Sequence, residues 1–364
     1  MRWSPQQDAA LAAVSDWLKQ PRAQIFRLFG YAGTGKTTLA RHLAEDLDGD
    51  VAFGAYTGKA ALVMRGKGCT DATTIHAMIY RPRGGGDEDG PSFAIHRDGS
   101  ASKADLIVID ECSMVDEELG RDLLSFGKKV LVLGDPAQLP PVKGGGFFTD
   151  AEPDAMLTEV HRQAVDDPII RMSLAVREGR ELDQGAYGES RVITKREIVA
   201  ADVTGADQVL VGTNRTRRLY NRRLRELKGL IDPMPAVGDK LVCLRNDKAK
   251  GLFNGGTWTV QRLKTADATR VKMDVLPEDE SARRSVSISV LKAFFEGDPE
   301  QIPFAQRRRS DEFDYGYALT VHKAQGSQWD DVVLFDESYA FREHRARWLY
   351  TGLTRAAKRV TVVR

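Results

Sequence analysis

Cysteine is scarce in this sequence: Cys69, Cys112 and Cys243 are the only three in 364 residues. They lie far apart, form no CxxC pair and share no zinc-type spacing with histidine. That excludes a disulfide framework and predicts thiols kept reduced. No apolar run approaches the length of a membrane span. The opening MRWSPQQDAALAAV lacks the basic-then-apolar layout of a secretory leader. Neither sign of charge is in excess, with 53 Lys and Arg against 52 Asp and Glu. The balance excludes a histone-like or polybasic-tail protein and leaves a local basic groove open. A soluble protein of the cytoplasm, the host's if the chain is viral, with no membrane partner, is expected.

What is there is a globular composition, 42% hydrophobic and 29% charged with 33 Gly and 14 Pro. The length suffices for two domains with separate cores. Short β-rich runs recur: IFRLFG (25–30), VAFGAYT (51–57), LIVID (106–110) and VLVLGD (130–135). Helix-period segments such as TTLARHLAEDL lie between them, which predicts parallel βαβ units. A second series follows with QVLVGT (208–213), YGYALT (315–320), VVLF (332–335) and VTVV (360–363). We therefore expect an α/β fold of two similarly built domains, 1–165 and 166–364. Two stretches break the pattern. Residues 81–103 are Gly-rich and polar around one short apolar patch, and predict a protruding hairpin. Residues from about 237 to 300 carry KLVCLR, TWTVQRL, RVKMDVL and RSVSISVL between turn signals. They predict a small all-β, barrel-like insertion in the second domain.

The chemistry concentrates at strand ends. Gly30-Tyr31-Ala32-Gly33-Thr34-Gly35-Lys36-Thr37 fits G-x-x-x-x-G-K-[ST]. It follows a strand and opens a helix, which sets it apart from a Gly-rich turn capping an ordinary helix. Backbone N–H groups from Gly33, Thr34, Gly35 and on through Thr38 would close around phosphate oxygens at the positive end of that helix. Lys36 would reach the β- and γ-phosphates and Thr37 would hold Mg²⁺. Asp110 and Glu111 end a buried strand, where open α/β sheets bind their ligands. Asp110 would orient Mg²⁺ and Glu111 would polarise water for attack on the γ-phosphate. Gln138, in the GDPAQLPP turn that ends the next strand, would sense the γ-phosphate. Ser4-Pro5-Gln6-Gln7 makes a capping box, and Gln7 could equally present its amide to adenine.

Taken in order, GYAGTGKT, AYTGKAA (55–61), TTIHAMIY (73–80), LIVIDECSMV, GDPAQLPPV, LTEVHRQ (157–163), YALTVHKAQGSQWD (317–330) and LYTGLTRAAKRV (349–360) resemble the motif series of superfamily 1 helicases. The RecD/Dda-like branch fits best, and the motifs run from residue 4 to 360. The resemblance implies two RecA-like P-loop domains with ATP and Mg²⁺ between them. It also implies a β-hairpin insertion in the first domain at 81–103 and an SH3-like β-barrel insertion in the second at about 237–300. Two arginines would be supplied to the nucleotide, Arg162 at the junction and Arg355 from LTRAA. Gln7 moves toward adenine contact without losing its capping role. Gln328 stands where many relatives carry a Glu facing the ribose, a departure that leaves the ribose contact open.

The same resemblance implies single-stranded DNA crossing both domains. Thr57, Lys59, Thr74 and His76 would touch it from the first, Thr320 and His322 from the second. Such hydroxyl, imidazole and amine donors suit phosphate contacts that read no sequence. Residues 213–228 carry seven basic residues against Glu226. That run is either a solvated helix face or brings Asn214 and Arg215 to the DNA or nucleotide edge. The 81–103 excursion matches the strand-splitting pin of relatives, although its GGGDEDG is acidic and poor at gripping phosphate. Phe93 would stack on a base or pack the hairpin onto its own domain. The expected activity is an ATP-dependent DNA helicase that moves 5′ to 3′ and unwinds at single-strand/duplex junctions. It would act as a monomer, with replication or recombination proteins as candidate partners. A translocase that remodels protein–DNA complexes or works on RNA is one alternative, a non-catalytic nucleic-acid-binding subunit another. A small-molecule P-loop kinase would leave the second domain's arginine motif unexplained. Two motor domains, a pin and one insertion use nearly the whole length, so a minimal motor is expected.

Overall fold

In the first half of the chain the strands are β1 (Ile25–Gly30), β2 (Val51–Ala55), β3 (Thr73–Thr74), β4 (Tyr80–Pro82), β5 (Phe93–Ile95), β6 (Leu106–Asp110), β7 (Lys129–Gly134) and β8 (Ala155–Leu157). The computed structural model describes residues 3–82, 93–141, 146–159, 167–247, 249–278, 284–297 and 302–364. Six of these strands form a parallel sheet in the order β3-β2-β6-β7-β1-β8. Its central strands are apolar on both faces, as a sheet covered on both sides requires. Leu106 and Val108 pack with Val14, Leu39 and Met64 from the helices Pro5–Leu18, Lys36–Glu45 and Gly58–Gly66. Ile107 and Ile109 point the other way, onto Ile75, Met78 and Leu119 from the helices Ile75–Ile79 and Glu117–Leu124. β4 and β5 pair antiparallel, Tyr80 opposite Ile95. The GGGDEDG tract between them lies outside the described residues.

The second half contributes β9 (Gly185–Tyr187), β10 (Ser190–Ile193), β11 (Gln208–Val211), β12 (Lys240–Cys243), β13 (Thr257–Ala266), β14 (Arg270–Pro277), β15 (Val286–Leu291), β16 (Phe313–Tyr315), β17 (Ala318–Thr320), β18 (Trp329–Phe335) and β19 (Ala356–Val363). A second sheet runs β17-β11-β18-β19-β10-β9, parallel except for the edge pair β9–β10. The helices Pro168–Arg177 and Arg345–Leu353 pack on one face of it, and Leu139 of the first domain is buried in that same cluster. Parallel strands ending side by side aim both sets of strand-end loops at the space between the domains.

A five-stranded antiparallel sheet, β15-β14-β13-β12-β16, interrupts the second domain. It runs past residue 300, because YGYALT is not one strand. Phe313–Tyr315 pairs with β12, and Ala318–Thr320 pairs with β11 in the other sheet. Gly316 makes the change of sheet: a Cβ there would lie 2.8 Å from the Leu241 carbonyl carbon. Among the described residues the module has no core of its own, since Val260, Met273, Ile288 and Phe313 pack in one cluster with Val209, Val211 and Leu224 of the second domain.

Two buried ion pairs join the parts. Arg217 meets Asp314 at 2.8 Å, and Arg225 holds Asp239 through two 3.0 Å bonds. This corrects the reading of the basic run 213–228. Its helix, Asn214–Leu227, turns Arg217, Asn221, Leu224 and Arg225 inward at 3- and 4-residue spacing. Part of the run is therefore structural rather than solvated.

Candidate nucleotide cleft and nucleic-acid groove

The phosphate loop leaves β1 and enters the helix Lys36–Glu45 with Gly33 at φ 78° and Gly35 at φ 81°, angles that favour glycine. Gly35 is the N-cap and offers no side chain to the helix, so the first amides stay directed at the cleft. Thr34 is buried and donates its hydroxyl to Tyr31 O at 2.8 Å. Lys36 Nζ donates to Gly30 O at 2.5 Å and Tyr31 O at 2.9 Å, lying along the loop it would share with a phosphate. Thr37 Oγ1 donates to Asp110 Oδ2 at 2.8 Å. A hydroxyl beside a carboxylate is a pair of hard oxygen donors that suits Mg²⁺, which keeps most of its ligands as water and phosphate. Among the described residues no cluster of three or more His, Cys, Asp or Glu would hold an ion unaided.

Glu111 sits in the left-handed region, φ 53° and ψ 46°. For a residue with a Cβ this is a strained conformation, costing about 1–3 kcal/mol, of the kind found at functional sites. Its N–H donates to Asp110 Oδ1 at 2.8 Å, so the two carboxylates part, Asp110 toward Thr37 and Glu111 into the cleft. Burial raises the Glu111 carboxyl above its ordinary value, Arg355 and Lys36 oppose this, and Asp110 and Asp135 add to it. Such a carboxylate is a better proton acceptor than an exposed one. Gln138 is buried, and its Oε1 finds no hydrogen-bond partner among the described residues.

The second domain closes the cleft. Arg355 is buried and held by Thr351 O (3.1 Å), Ser327 O (3.2 Å) and Thr354 Oγ1 (3.2 Å). With Gly326, Ser327, exposed Gln328 and Thr354, it faces Ala32–Thr38, Asp110, Glu111, Asp135 and Gln138 across a cavity of about 580 Å³. Gln7 lies behind the phosphate loop and keeps its capping role. Its Oε1 accepts from Ser4 N and its backbone N–H donates to Ser4 Oγ, completing the capping box, while Nε2 donates to Thr34 O at 3.1 Å and braces the phosphate loop. Arg162 lies outside the described residues.

With this geometry the comparisons agree. The AAA-domain family matches residues 2–197, and the UvrD-like helicase C-terminal domain matches residues 315–363. The chain belongs to the AAA-domain family. It is 30% identical to the ATP-dependent RecD2 DNA helicase of Deinococcus radiodurans, over 96% of this chain and 48% of that one. It is 28% identical to the RecBCD enzyme subunit RecD of Mycolicibacterium smegmatis, over 92% of this chain and 67% of that one. The chain spans about half the length of the RecD2 relative and about a third of the conjugal transfer proteins TraA that it matches. Its fold is similar to Pif1 helicase from Candida albicans (TM-score 0.59, 19% identity, 100% of this chain and 94% of that one). It is also similar to Pif1 helicase from Bacteroides in complex with ADP-AlF3 and ssDNA (TM-score 0.57, 17% identity, 99% and 92%).

Beside the cleft a second opening, of about 410 Å³, lies where both domains meet the antiparallel module. Thr57 and Lys59 line it from the first domain, Asn214, Arg217, Arg218, His322 and Lys323 from the second, and Asn254 and Arg307 from the module. Thr57 Oγ1 accepts from Ala60 N at 3.1 Å and caps the helix Gly58–Gly66, which leaves its O–H to donate. Burial lowers the His322 pKa, and the neighbouring His344 lowers it further. Thr74, His76, Phe93, Arg215 and Thr320 are not brought into this lining. Thr74 caps Ile75–Ile79 through Ala77 N, and Thr320 is buried at the end of β17. Arg215 is exposed at the start of its helix. His76 instead joins an aromatic row, 6.3 Å from Tyr56 and 5.7 Å from Tyr80, and Tyr80 is 6.2 Å from the half-exposed Phe93. Sequence reasoning missed Tyr350 and Asp135, which meet across the domains at 2.6 Å, and Arg177, whose guanidinium lies 3.4 Å from the centre of the Tyr31 ring. The signal available for Tyr350 was its place one turn and a half before Arg355 in LYTGLTR.

Proposed function

We propose that this chain is an ATP-dependent DNA helicase that moves 5′ to 3′ on single-stranded DNA and opens duplex at junctions. The observation that carries the reading is Arg355, a second-domain arginine facing the phosphate loop, Glu111 and Gln138 across one cavity. Lys36 and the loop amides would hold the β- and γ-phosphates, and Glu111 would take a proton from the attacking water. Gln138, whose buried Oε1 has no partner among the described residues, would bond that water or report the γ-phosphate, and Arg355, with Arg162, would offset charge on the transferring group. Thr37 and Asp110 would hold Mg²⁺, which when bound neutralises phosphate charge.

Single-stranded DNA would follow the groove past Thr57, Lys59, Asn214 and His322, whose donors suit a backbone rather than base edges. Thr74, His76, Arg215 and Thr320 would extend its path. The β4–β5 hairpin with Phe93 would act as the pin, and the antiparallel module as an SH3-like accessory piece. The direction of movement rests on the resemblance to the RecD/Dda-like motifs. Strand displacement on DNA and RNA duplexes with 5′ or 3′ overhangs, read beside phosphate release with and without single strands, tests the whole. Lys36→Ala and Glu111→Gln should abolish both readouts. ATP turnover indifferent to single-stranded DNA would remove the motor reading, and unwinding from 3′ overhangs alone would reverse the polarity.

A further inference from the structure

We propose that Tyr350 is a positioning residue, a latch by which the second domain sets the phosphate loop and the Gln138 turn relative to each other; this rests on the ATP-hydrolysis reading above. Tyr350 lies on the helix Arg345–Leu353 and is 2% exposed. Its hydroxyl accepts from Ala32 N at 3.1 Å and donates to Asp135 Oδ2 at 2.6 Å. The two partners belong to different walls of the cleft. Ala32 is in the phosphate loop, and Asp135 follows β7.

Asp135 passes the constraint on. Its Oδ1 accepts from Ala137 N at 3.0 Å and its carbonyl accepts from Gln138 N at 3.1 Å. The carboxylate that Tyr350 holds therefore also folds the turn that carries Gln138. Neighbouring contacts fix the same seam. Leu139 N donates to Thr351 Oγ1 at 3.0 Å, and Gln325 Nε2 donates to Leu139 O at 3.1 Å. One phenol from the second domain is thus bonded to both walls of a site in the first. Parting the domains would strip the buried Asp135 of a donor and the Ala32 amide of its acceptor, a cost that ties the arrangement of the loop and turn to domain closure.

Tyr350→Phe keeps the ring and removes only the hydroxyl. With a single-stranded oligonucleotide and saturating ATP, kcat should fall about tenfold, the worth of one buried hydrogen bond. The KM for ATP and the affinity for a fluorescent ADP should stay within about twofold, a split that loss of packing alone would not give. Asp135→Asn should cost a similar factor, and the double variant should be no slower than the worse single one. The same cycle read on urea unfolding should also be non-additive. A Tyr350→Phe kcat within twofold of wild type, multiplying rate losses, or additive unfolding effects would overturn the latch. A wild-type protein without ATP turnover but with non-additive unfolding would overturn the hydrolysis reading and leave the latch as a structural bond.

Discussion

Removing the Arg355 guanidinium separates what the residue does for stability from what it does for the reaction. Its three acceptors, Thr351 O, Ser327 O and Thr354 Oγ1, all belong to its own domain. Arg355→Ala leaves two backbone carbonyls without that donor, at about 1 kcal/mol each, so a loss of about 2–3 kcal/mol is expected with the side-chain packing. The rate effect is larger. A cation set on the transferring phosphoryl group in a water-poor cleft is worth about 10³ to 10⁵ in kcat, or about 4–7 kcal/mol. Arg355→Lys keeps the charge but replaces a rigid planar fork by a compact ammonium on a flexible stem, and should recover less than about tenfold of the loss. Steady-state phosphate release with single-stranded DNA gives the rates. Urea unfolding gives the stabilities, and labelled ADP checks that the loop still binds. An alanine variant within about threefold of wild-type kcat would refute the claim that the second domain supplies charge to the first domain's nucleotide.

Arg225→Met leaves Asp239, which has no exposed surface, with its charge uncompensated, although Tyr317 Oη and Ala236 N still donate to it. Unfolding should weaken by about 3–5 kcal/mol, and Arg225→Met with Asp239→Leu should be less damaging than the single change. A single-variant loss under about 1 kcal/mol would mean the pair does not join module to domain. Asp274 has its carboxyl held down at about 2 from an ordinary 3.8 by Lys264, then the Ser287 hydroxyl, with Arg262 assisting. A lowered folded value contributes stability above the ordinary value and loses it as pH falls from 3.8 through about 2. The gap in thermal midpoint between wild type and Asp274→Asn should therefore be present at neutral pH and close across that window. Gly326 has φ +75°, and an added Cβ would stand 2.8 Å from Ala60 Cβ and 2.9 Å from Thr57 Oγ1. Gly326→Ala should lower the stimulation of ATP turnover by single strands more than it lowers turnover without them. Equal losses would show only general damage.

The parallel sheets and the phosphate loop were legible because their signals are local. Four- to six-residue apolar runs mark strands buried on both faces, and a glycine–lysine pattern marks a loop whose conformation follows from its own residues. The antiparallel module was legible as turns between short strands, but its last strand was not, because Phe313–Tyr315 and Ala318–Thr320 are continuous in pattern and only Gly316's approach to Leu241 divides them. The basic helix misled for a related reason. A four-residue spacing shows that Arg217, Asn221 and Arg225 share a face, yet the buried acids that receive the arginines lie outside the helix, Asp314 in β16 and Asp239 just before β12. Tyr350 and Asp135 were likewise invisible as a pair, since nothing in either segment encodes the other domain's position.

That seam explains how the cleft and the groove stand in contact. Residues 322–328 contribute His322, Lys323 and Gln325 to the groove, then Gly326, Ser327 and Gln328 to the cleft. Lys59 lines both from the other side. Gln325 is buried in the groove wall while its Nε2 holds Leu139 O, the end of the turn that Asp135 and Gln138 begin. A change of backbone position in the groove must therefore displace either the Gln325–Leu139 bond or Gly326, whose close approach to Ala60 leaves little slack. Packed interiors answer such displacement by moving as units rather than by stretching. The unit here is the second domain itself, which carries Arg355 and Tyr350 on the adjoining segment. Coupling between the two sites then needs no extended relay of side chains: the wall of one site continues directly into the wall of the other.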